Sequence, residues 1–399
     1  MQPGFLRSAV TLGLLALVGP FAIDMYLPAL PTIADDLQTT IAATQTTLTA
    51  YFIAFGVAQL VYGPLADWIG RKQPIYIGLA IFIVGSLASA WAPSIAWLAA
   101  GRFVQAMGAA TVMVVPRAIV RDLYTGGQAT RMMALIMLVI SVSPMLAPLA
   151  GSGLIALGGW RLIFEVLAGA AVLSVLLTAT QLPETLPAEK RVPIRPRVLL
   201  AGMRTLITDA KFIGLTLIGG FGMASFFVFL STASFVYTGQ YGLSSVEFSL
   251  AFAVNAIGFF GASQVAPTLG ERYGMARMVL IATFGFFVTM IVLLALTLAG
   301  FNTLGVLITL LFIGYAFFGL VMAPVMVMAL DDHGDKAGLA SSLGGTLQMV
   351  AGGVMIVITA PFFDGTTLPM VASIAFCATA AFGFAVITLR AAPQTGAAA

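Results

Sequence analysis

The sequence is poor in the residues that most enzymes and metal sites use. Its 399 residues hold one cysteine, Cys377, inside an apolar run, and one histidine, His333, in a polar loop. No disulfide can close within the chain, and a zinc site built on Cys and His clusters is excluded. No nucleophile elbow or phosphate loop is present, so no enzymatic activity is expected. Charge is scarcer still. Asp, Glu, Lys and Arg make up 8% of the residues and hydrophobic residues 60%, where a soluble domain carries roughly 25% charged residues. So few charges cannot solvate the surface of a globule this long, and that surface must face lipid. The net charge of +3 is small, and no nucleic-acid partner is expected.

What the chain does have is long apolar runs. Twelve are marked: Ser8–Leu30, Thr44–Ala66, Ile75–Ala92, Ile95–Pro116, Met132–Ile155, Leu162–Leu182, Phe212–Phe235, Phe248–Ala266, Met278–Ala299, Leu304–Ala329, Leu339–Phe362 and Leu368–Leu389. Runs of about 20 apolar residues read as transmembrane helices, because only helices satisfy every backbone group inside hydrocarbon. The runs do not alternate in polarity, which excludes a barrel. The first run is read as a retained span and not a signal peptide, because it is long and contains Asp24. With the N-terminus in the cytoplasm, the inner face receives Arg7, Arg71, Lys72, Arg117, Arg121, Arg131, Lys190, Arg191, Arg195, Arg197, Arg204, Lys211, Arg272, Arg277, Lys336 and Arg390. Arg161 falls at an outer boundary and Arg102 inside a span. This sorting obeys the positive-inside rule and places both termini in the cytoplasm.

The longest polar stretch, residues 183–211, holds Pro183, Pro187, Pro193 and Pro196 and reads as a cytoplasmic linker. It divides an N-terminal six-helix half, 1–182, from a C-terminal one, 212–399. The halves echo each other: Asp67 and Gly70 follow the second span, and Glu271 and Gly274 follow the eighth, both offset by 204 residues (271 − 67 and 274 − 70). Duplicated halves with a substrate path near the midplane are a recurring transporter plan.

Three spans carry one ionisable residue each: Asp24, Arg102 and Glu165. A charge at the bilayer centre costs about 2.5–3.5 kcal/mol on insertion scales, so each needs a reason. Asp24 and Arg102 lie at similar depth, roughly 7–8 Å outward of the middle at helical rise. They are expected to pair across the bundle, either as a structural ion pair or as a switching charge. Glu165 is one turn from Arg161, and an i, i+4 pair between them is expected. Gln59, Gln105, Asn255 and Gln348 lie within spans and suit either helix-to-helix hydrogen bonds or a cavity wall. Phe226, Phe227, Phe229 and Phe235 crowd the seventh span, and Tyr315, Phe317 and Phe318 the tenth. Such surfaces pack against neighbours or line an adaptable apolar pocket. Pro20 and Pro28 bracket Asp24, while Pro144 and Pro148 precede Gly151 and Gly153. Prolines and small residues of this kind bend helices and let them pack closely.

Gly63-Pro64-Leu65-Ala66-Asp67-Trp68-Ile69-Gly70-Arg71-Lys72 resembles the loop motif between the second and third helices of the major facilitator superfamily. Arg102, Gln105 and Gly108 resemble its fourth-helix motif. Pro144, Pro148 and Gly151 resemble the fifth-helix motif of its antiporters, with Ala147 where a glycine is usual. Ile23-Asp24-Met25-Tyr26-Leu27-Pro28-Ala29-Leu30-Pro31 is similar to the first helix of the twelve-helix drug:proton antiporters, and most of all to the bicyclomycin and chloramphenicol resistance branch. Gly159-Trp160-Arg161-Leu162-Ile163-Phe164 and Ala340-Ser341-Ser342-Leu343 with Gln348 are similar to that branch too. The similarity covers essentially the whole chain.

The resemblance implies an all-α inner-membrane protein of twelve helices in two pseudo-symmetric halves, acting as a monomer and driven by the proton gradient with no cofactor and no metal. It implies export of small amphipathic drugs in exchange for protons. The motif from Gly63 through Asp67, Gly70, Arg71 and Lys72 is expected to gate, with Arg71 or Arg121 as the partner of Asp67. Asp24 is expected to carry the proton and Arg102 to tune its protonation. Tyr51, Phe226, Phe227, Asn255, Tyr315 and Gln348 are expected to contact a drug held between the halves. One carboxylate balanced by one arginine points to neutral drugs such as phenicols. A proton-coupled symporter of a small metabolite on the same fold is the alternative.

Overall fold

In the computed structural model, the described residues are 4–331, 333 and 336–390, apart from the side chains of Thr130 and Arg390; the expected inner-face charge of Arg390 lies outside them. Helices account for nearly all of this chain: α1 (Phe5–Asp24), α2 (Leu30–Asp36), α3 (Ile41–Ile69), α4 (Lys72–Ala90), α5 (Ile95–Leu123), α6 (Gly126–Gly158), α7 (Trp160–Gln181), α8 (Pro196–Thr208), α9 (Ala210–Phe235), α10 (Ser245–Tyr273), α11 (Met275–Leu298), α12 (Leu304–Asp331), α13 (Ala337–Thr359) and α14 (Thr367–Arg390). Among the described residues no β-strand occurs. Twelve helical segments are long and apolar enough to span a bilayer, from the 19 residues of Lys72–Ala90 to the 33 of Gly126–Gly158. The first is Phe5–Asp36, in which α1 and α2 are joined by a 3-10 turn over Leu27–Ala29. The expected twelve runs are all present.

Their ends are set by local chemistry. Thr40 caps α3 by accepting the Ala43 amide at 3.1 Å, and Ser94 sits at the cap of α5. Ser244 and Glu247 form a reciprocal capping box at the start of α10, at 2.8 and 3.3 Å. Asp209 caps α9 through the Phe212 amide at 2.7 Å. The fourth span does not stop at Pro116 as expected. It runs on to Leu123 and carries Arg117 and Arg121 on its last turns. A proline deprives its helix of one hydrogen bond, and a spanning helix tolerates that loss where neighbours supply packing. The 183–211 stretch is also more ordered than a proline-rich linker suggests, since it contains α8, with Leu206 and Gly202 buried on one side.

The chain divides into two compact units. The first comprises Met1–Arg195, Leu230–Ala253 and Ile356–Pro361, and the second Pro196–Phe229, Val254–Met355 and Phe362–Ala399. In the first unit α5 packs along both α3 and α4. Glycines make the α4–α5 seam possible. A Cβ at Gly85 would lie 2.2 Å from the Gln105 nitrogen, and one at Gly108 would lie 2.3 Å from the Gly78 oxygen and 2.4 Å from the Phe82 nitrogen. Gly101 meets Ser89 in the same way at 2.6 Å. The helices approach until backbone touches backbone, which is how apolar helices gain packing energy where no hydrophobic effect drives them together. In the second unit α11 packs against α12 and α14, and Gly314 of α12 receives the Met290 side chain of α11.

Gly108→Ala is expected to lower the stability of the purified protein by about 1–3 kcal/mol, the usual range for overpacking, read as a lower thermal unfolding midpoint. Gly153→Ala, where an added Cβ meets nothing within 4 Å, is expected to leave that midpoint unchanged or raise it.

Candidate functional site

The site begins with a helix that cannot continue. Pro28 has no amide to give the Asp24 carbonyl, and Pro31 has none for Leu27. Helix α1 therefore stops at Asp24, and Ala29 donates instead to the Tyr26 oxygen at 3.0 Å in a tighter turn. The Ala22 carbonyl, which in a continued helix accepts the Tyr26 amide, accepts Arg102 Nη1 at 2.8 Å. An arginine from α5 thus completes the broken end of α1.

Arg102 is fully buried. Its guanidinium carbon lies 4.2 Å from the Tyr51 ring centroid, 4.5 Å from Tyr26 and 5.8 Å from Phe164. Nη1 also donates to Gln105 Oε1 at 2.5 Å, and Gln105 Nε2 donates to Ser86 Oγ at 2.8 Å on α4. Nε and Nη2 have no hydrogen-bond partner. The positive charge is balanced by ring faces and carbonyl dipoles. The expected pairing with Asp24 does not occur: among the described residues, no carboxylate lies within 4.0 Å of Arg102. Arg102 approaches α1 from α5, whereas Asp24 turns towards α6.

Asp24 is 6% exposed and accepts one side-chain hydrogen bond, from Ser143 Oγ at 3.2 Å. Ser143, Ala147 and Gly151 recur every four residues along one face of α6, and all three are buried. A Cβ at Gly151 would fall 2.2 Å from the Met25 carbonyl oxygen, so the glycine lets α6 close onto the broken segment. Pro144 and Pro148 lie inside the same helix. On another side of α6, Ser152 donates to the Ser245 carbonyl at 2.9 Å and meets Ser249 Oγ at 3.0 Å, within the first unit.

At the α3–α4 turn, Arg71 is buried between two acids. Nη1 donates to Asp67 at 2.5 Å, and Nε donates to Asp122 at 2.8 Å. Burial disfavours its charge, but the Asp122 and Asp67 carboxylates outweigh that and hold its pKa above the ordinary arginine value. Asp67 has its partner in Arg71 and forms no ion pair with Arg121, which is exposed. Glu184, just after α7, caps α4 by accepting the Arg71 amide at 2.8 Å and the Lys72 amide at 3.1 Å. Its partial burial works to raise its pKa. Amide donors from Leu186, Arg71, Lys72 and Thr185 outweigh that and pull it below the ordinary glutamate range. Lys72 Nζ donates to the Leu182 carbonyl at 2.9 Å, and the Val192 amide to the Asp67 carbonyl at 2.9 Å. Gly70 has φ +100°, and a Cβ there would lie 2.7 Å from Glu184 Oε2. Gly63 has no such requirement, since an added Cβ meets nothing within 4 Å.

The expected substrate contacts fall in both units. Tyr51 belongs to the first, where its hydroxyl donates to the Gly19 carbonyl at 3.3 Å and its ring faces Arg102. In the second, Phe226 stacks on Phe259 with centroids 5.8 Å apart and meets Tyr315 edge-on at 5.7 Å. Phe229 and Phe286 complete this aromatic group around Tyr315. Phe227 lies over Gly352, and Gln348 Nε2 lies beside Gly219. Asn255 is buried on α10, one turn from Phe259. The expected Arg161–Glu165 pair is replaced. Arg161 donates to Asp36 at 2.7 Å and to the Ala92 carbonyl at 3.2 Å, while Glu165 is exposed. Asp36 at the end of α2 takes the guanidinium instead, together with the Trp160 indole, which donates to the same carboxylate at 3.0 Å. Among the described residues, no group of three or more His, Cys, Asp or Glu side chains is placed to hold a metal ion.

A depressed glutamate pKa means that the Glu184 cap is complete above the ordinary glutamate range and is lost as pH falls through the depressed value. Glu184→Ala is therefore expected to speed hydrogen–deuterium exchange at the Arg71 and Lys72 amides several-fold at neutral pH. Corrected for intrinsic rates, the native chain should show the same gain only once the pH falls below the ordinary glutamate range. Exchange that is unchanged in the variant would count against the cap.

Sequence comparison places these elements among known proteins. The Major Facilitator Superfamily model matches residues 12–356. The MFS-type transporter YdgK of Bacillus subtilis (strain 168), described as uncharacterized, is 35% identical over 352 residues, covering 88% of this chain and 87% of that one. A bicyclomycin resistance protein homolog of Haemophilus influenzae is 30% identical over 374 residues, covering 92% of each. In fold, a POT family transporter crystallised with a thioalcohol-conjugated peptide aligns over 98% of this chain and 97% of its own, with a TM-score of 0.75 at 13% identity. Twelve apolar helices, a broken first span completed by an arginine and the acid–base turn after α3 are thus those of a multi-pass protein of the bacterial inner membrane, and the chain belongs to the Major Facilitator Superfamily.

Proposed function

We propose that this chain is a proton-coupled antiporter that exports small amphipathic drugs across the inner membrane by alternating access. The observation that carries the reading is Asp24, a buried carboxylate at a break in the first span, with one neutral side-chain donor and, among the described residues, no cation within 4.0 Å. A carboxyl so placed can exchange a proton without breaking an ion pair. The similarity to a bicyclomycin resistance protein homolog supports the drug class.

In this scheme Asp24 takes a proton from the outer side and releases it inside. The Ser143–Ala147–Gly151 face passes the change at α1 on to α6, a helix that carries two prolines. Arg102 holds the break in shape throughout. The Asp67–Arg71–Asp122 cluster, clamped by Glu184, closes the turn after α3 in one state of the cycle. Residues 1–182 and 212–399 act as the two halves, with 183–211 between them and both termini in the cytoplasm, a placement that the sorting of basic residues supports. The protein works as a monomer without a cofactor. Phe226, Tyr315, Asn255 and Gln348 offer ring faces and amides to a neutral drug such as a phenicol. A symporter of a small metabolite is the second reading, favoured if substrate accumulates in cells along an imposed proton gradient.

Everted vesicles with an acid interior test the reading. Chloramphenicol is expected to dissipate the gradient with the native chain and not with Asp24→Asn, read as lumenal pH. A response that survives in the variant would move the proton carrier elsewhere. Equal responses to a dication and to a phenicol would overturn the preference for neutral drugs.

A further inference from the structure

Helix α8 ends at Thr208, and the spanning segment Ala210–Gln240 begins two residues later. Chain connectivity therefore keeps α8 at the membrane surface. Asp209 fixes the joint. One carboxylate oxygen accepts the Phe212 amide at 2.7 Å, and the other lies 3.5 Å from His333 Nε2.

Two stripes run along α8. Gly202 and Leu206 make the inner one, and both are buried. A Cβ at Gly202 would lie 2.6 Å from Leu339 Cδ2 of α13, within the second compact unit. Arg197, Leu200, Arg204 and Ile207 make the other, at successive steps of three, four and three residues, which is one face of a helix. All four are exposed, Leu200 at 65% and Ile207 at 53%. Cationic and aliphatic side chains thus alternate along one open stripe. Water suits the arginines and not Leu200 or Ile207, while hydrocarbon suits those two and not the arginines. The boundary between lipid headgroups and acyl chains suits all four.

The charge of this segment says which lipid. From Lys190 to Thr208 the chain holds five basic residues and no acidic one. Among the described residues, no carboxylate lies within 4.0 Å of Arg197 or Arg204. Basic clusters of this size beside a span, or on an amphipathic helix, collect anionic headgroups.

We propose that the open stripe of α8 is a docking surface for anionic phospholipid, with the headgroup phosphate at Arg197 and Arg204 and the top of the acyl chains beside Leu200 and Ile207. The occupant comes from the bilayer that already surrounds α9. The surface requires neither Asp24 nor the drug, so it stands apart from the transport reading and from its test by lumenal pH.

Site-directed quenching tests it on the full chain. The native Cys377 is fully buried, so a bimane attaches selectively to Leu200→Cys. The labelled protein is placed in phosphatidylcholine nanodiscs that contain a trace of phosphatidylglycerol, or of phosphatidylcholine, with a nitroxide near the top of one acyl chain. The phosphatidylglycerol is expected to quench about fivefold more strongly than the phosphatidylcholine. That preference should fall at high salt and disappear when Arg197→Gln and Arg204→Gln are combined. Leu173→Cys on α7, 52% exposed, sees lipid without a neighbouring cation. Its two quenching values should be about equal and unchanged by the arginine substitutions, which also reports that the variant is folded. Equal quenching by both lipids at Leu200, or a preference that survives the double variant, overturns the proposal. So does the absence of quenching by either lipid, which would leave the stripe to a protein partner.

Discussion

The contact on which the first unit depends is the hydrogen bond from Arg102 to the Ala22 carbonyl. It exists because Pro28 and Pro31 stop α1 inside the apolar region, where a freed carbonyl cannot turn to water. One guanidinium solves the problem by linking three helices: α1 through Ala22, α4 through Gln105 and Ser86, and α3 through the Tyr51 ring. Removing the arginine would strand a carbonyl, an amide and three ring faces at once. This web also leaves Asp24 free of a counter-ion, and on the proposed reading that freedom is what allows a proton to come and go.

Much of this was legible in the sequence, for reasons that differ from residue to residue. The spans could be read because lipid imposes length and apolarity on every one of them. Asp24 and Arg102 stood out because ionisable residues are costly at that depth. Their expected pairing failed because depth fixes a position along the membrane normal and says nothing of which way a side chain turns about its helix. Pro28 marked the break, but nothing in the pattern said that the orphaned carbonyl would belong to Ala22 or that an arginine would claim it. The turn after α3 was recognised by its glycine, acid and bases. Asp122 and Glu184 were missed because charges just beyond an apolar run are ordinarily solvated, and only the fold brings α5 and the segment after α7 against Arg71.

The aromatic residues divide along similar lines. Crowding in the seventh and tenth spans predicted Phe226 and Tyr315, and these do meet. Phe259 and Phe286 complete the group from α10 and α11, helices that are crowded as well, with Phe248, Phe252, Phe259 and Phe260 on one and Phe284, Phe286 and Phe287 on the other, so that crowding by itself does not single out the helices that meet. Tyr51 was grouped with them by type alone, and its ring is committed to Arg102 instead. Where a side chain's chemistry serves packing and binding equally, as with a phenyl ring, composition nominates candidates and only neighbours choose among them.

The glycine seam between α4 and α5 has a consequence for how this protein can change over generations. Gly85, Gly101 and Gly108 each stand where an added carbon meets backbone or a buried hydroxyl within 2.6 Å. Every coding substitution at a glycine adds that carbon, so no mild replacement is open to these positions. Val84 and Met107 lie next to Gly85 and Gly108 but are exposed, and many apolar residues can serve there. Drift should therefore be tightly constrained at the seam and loose one residue away, so that tolerance to mutation alternates along α4 and α5 with the period of the helix.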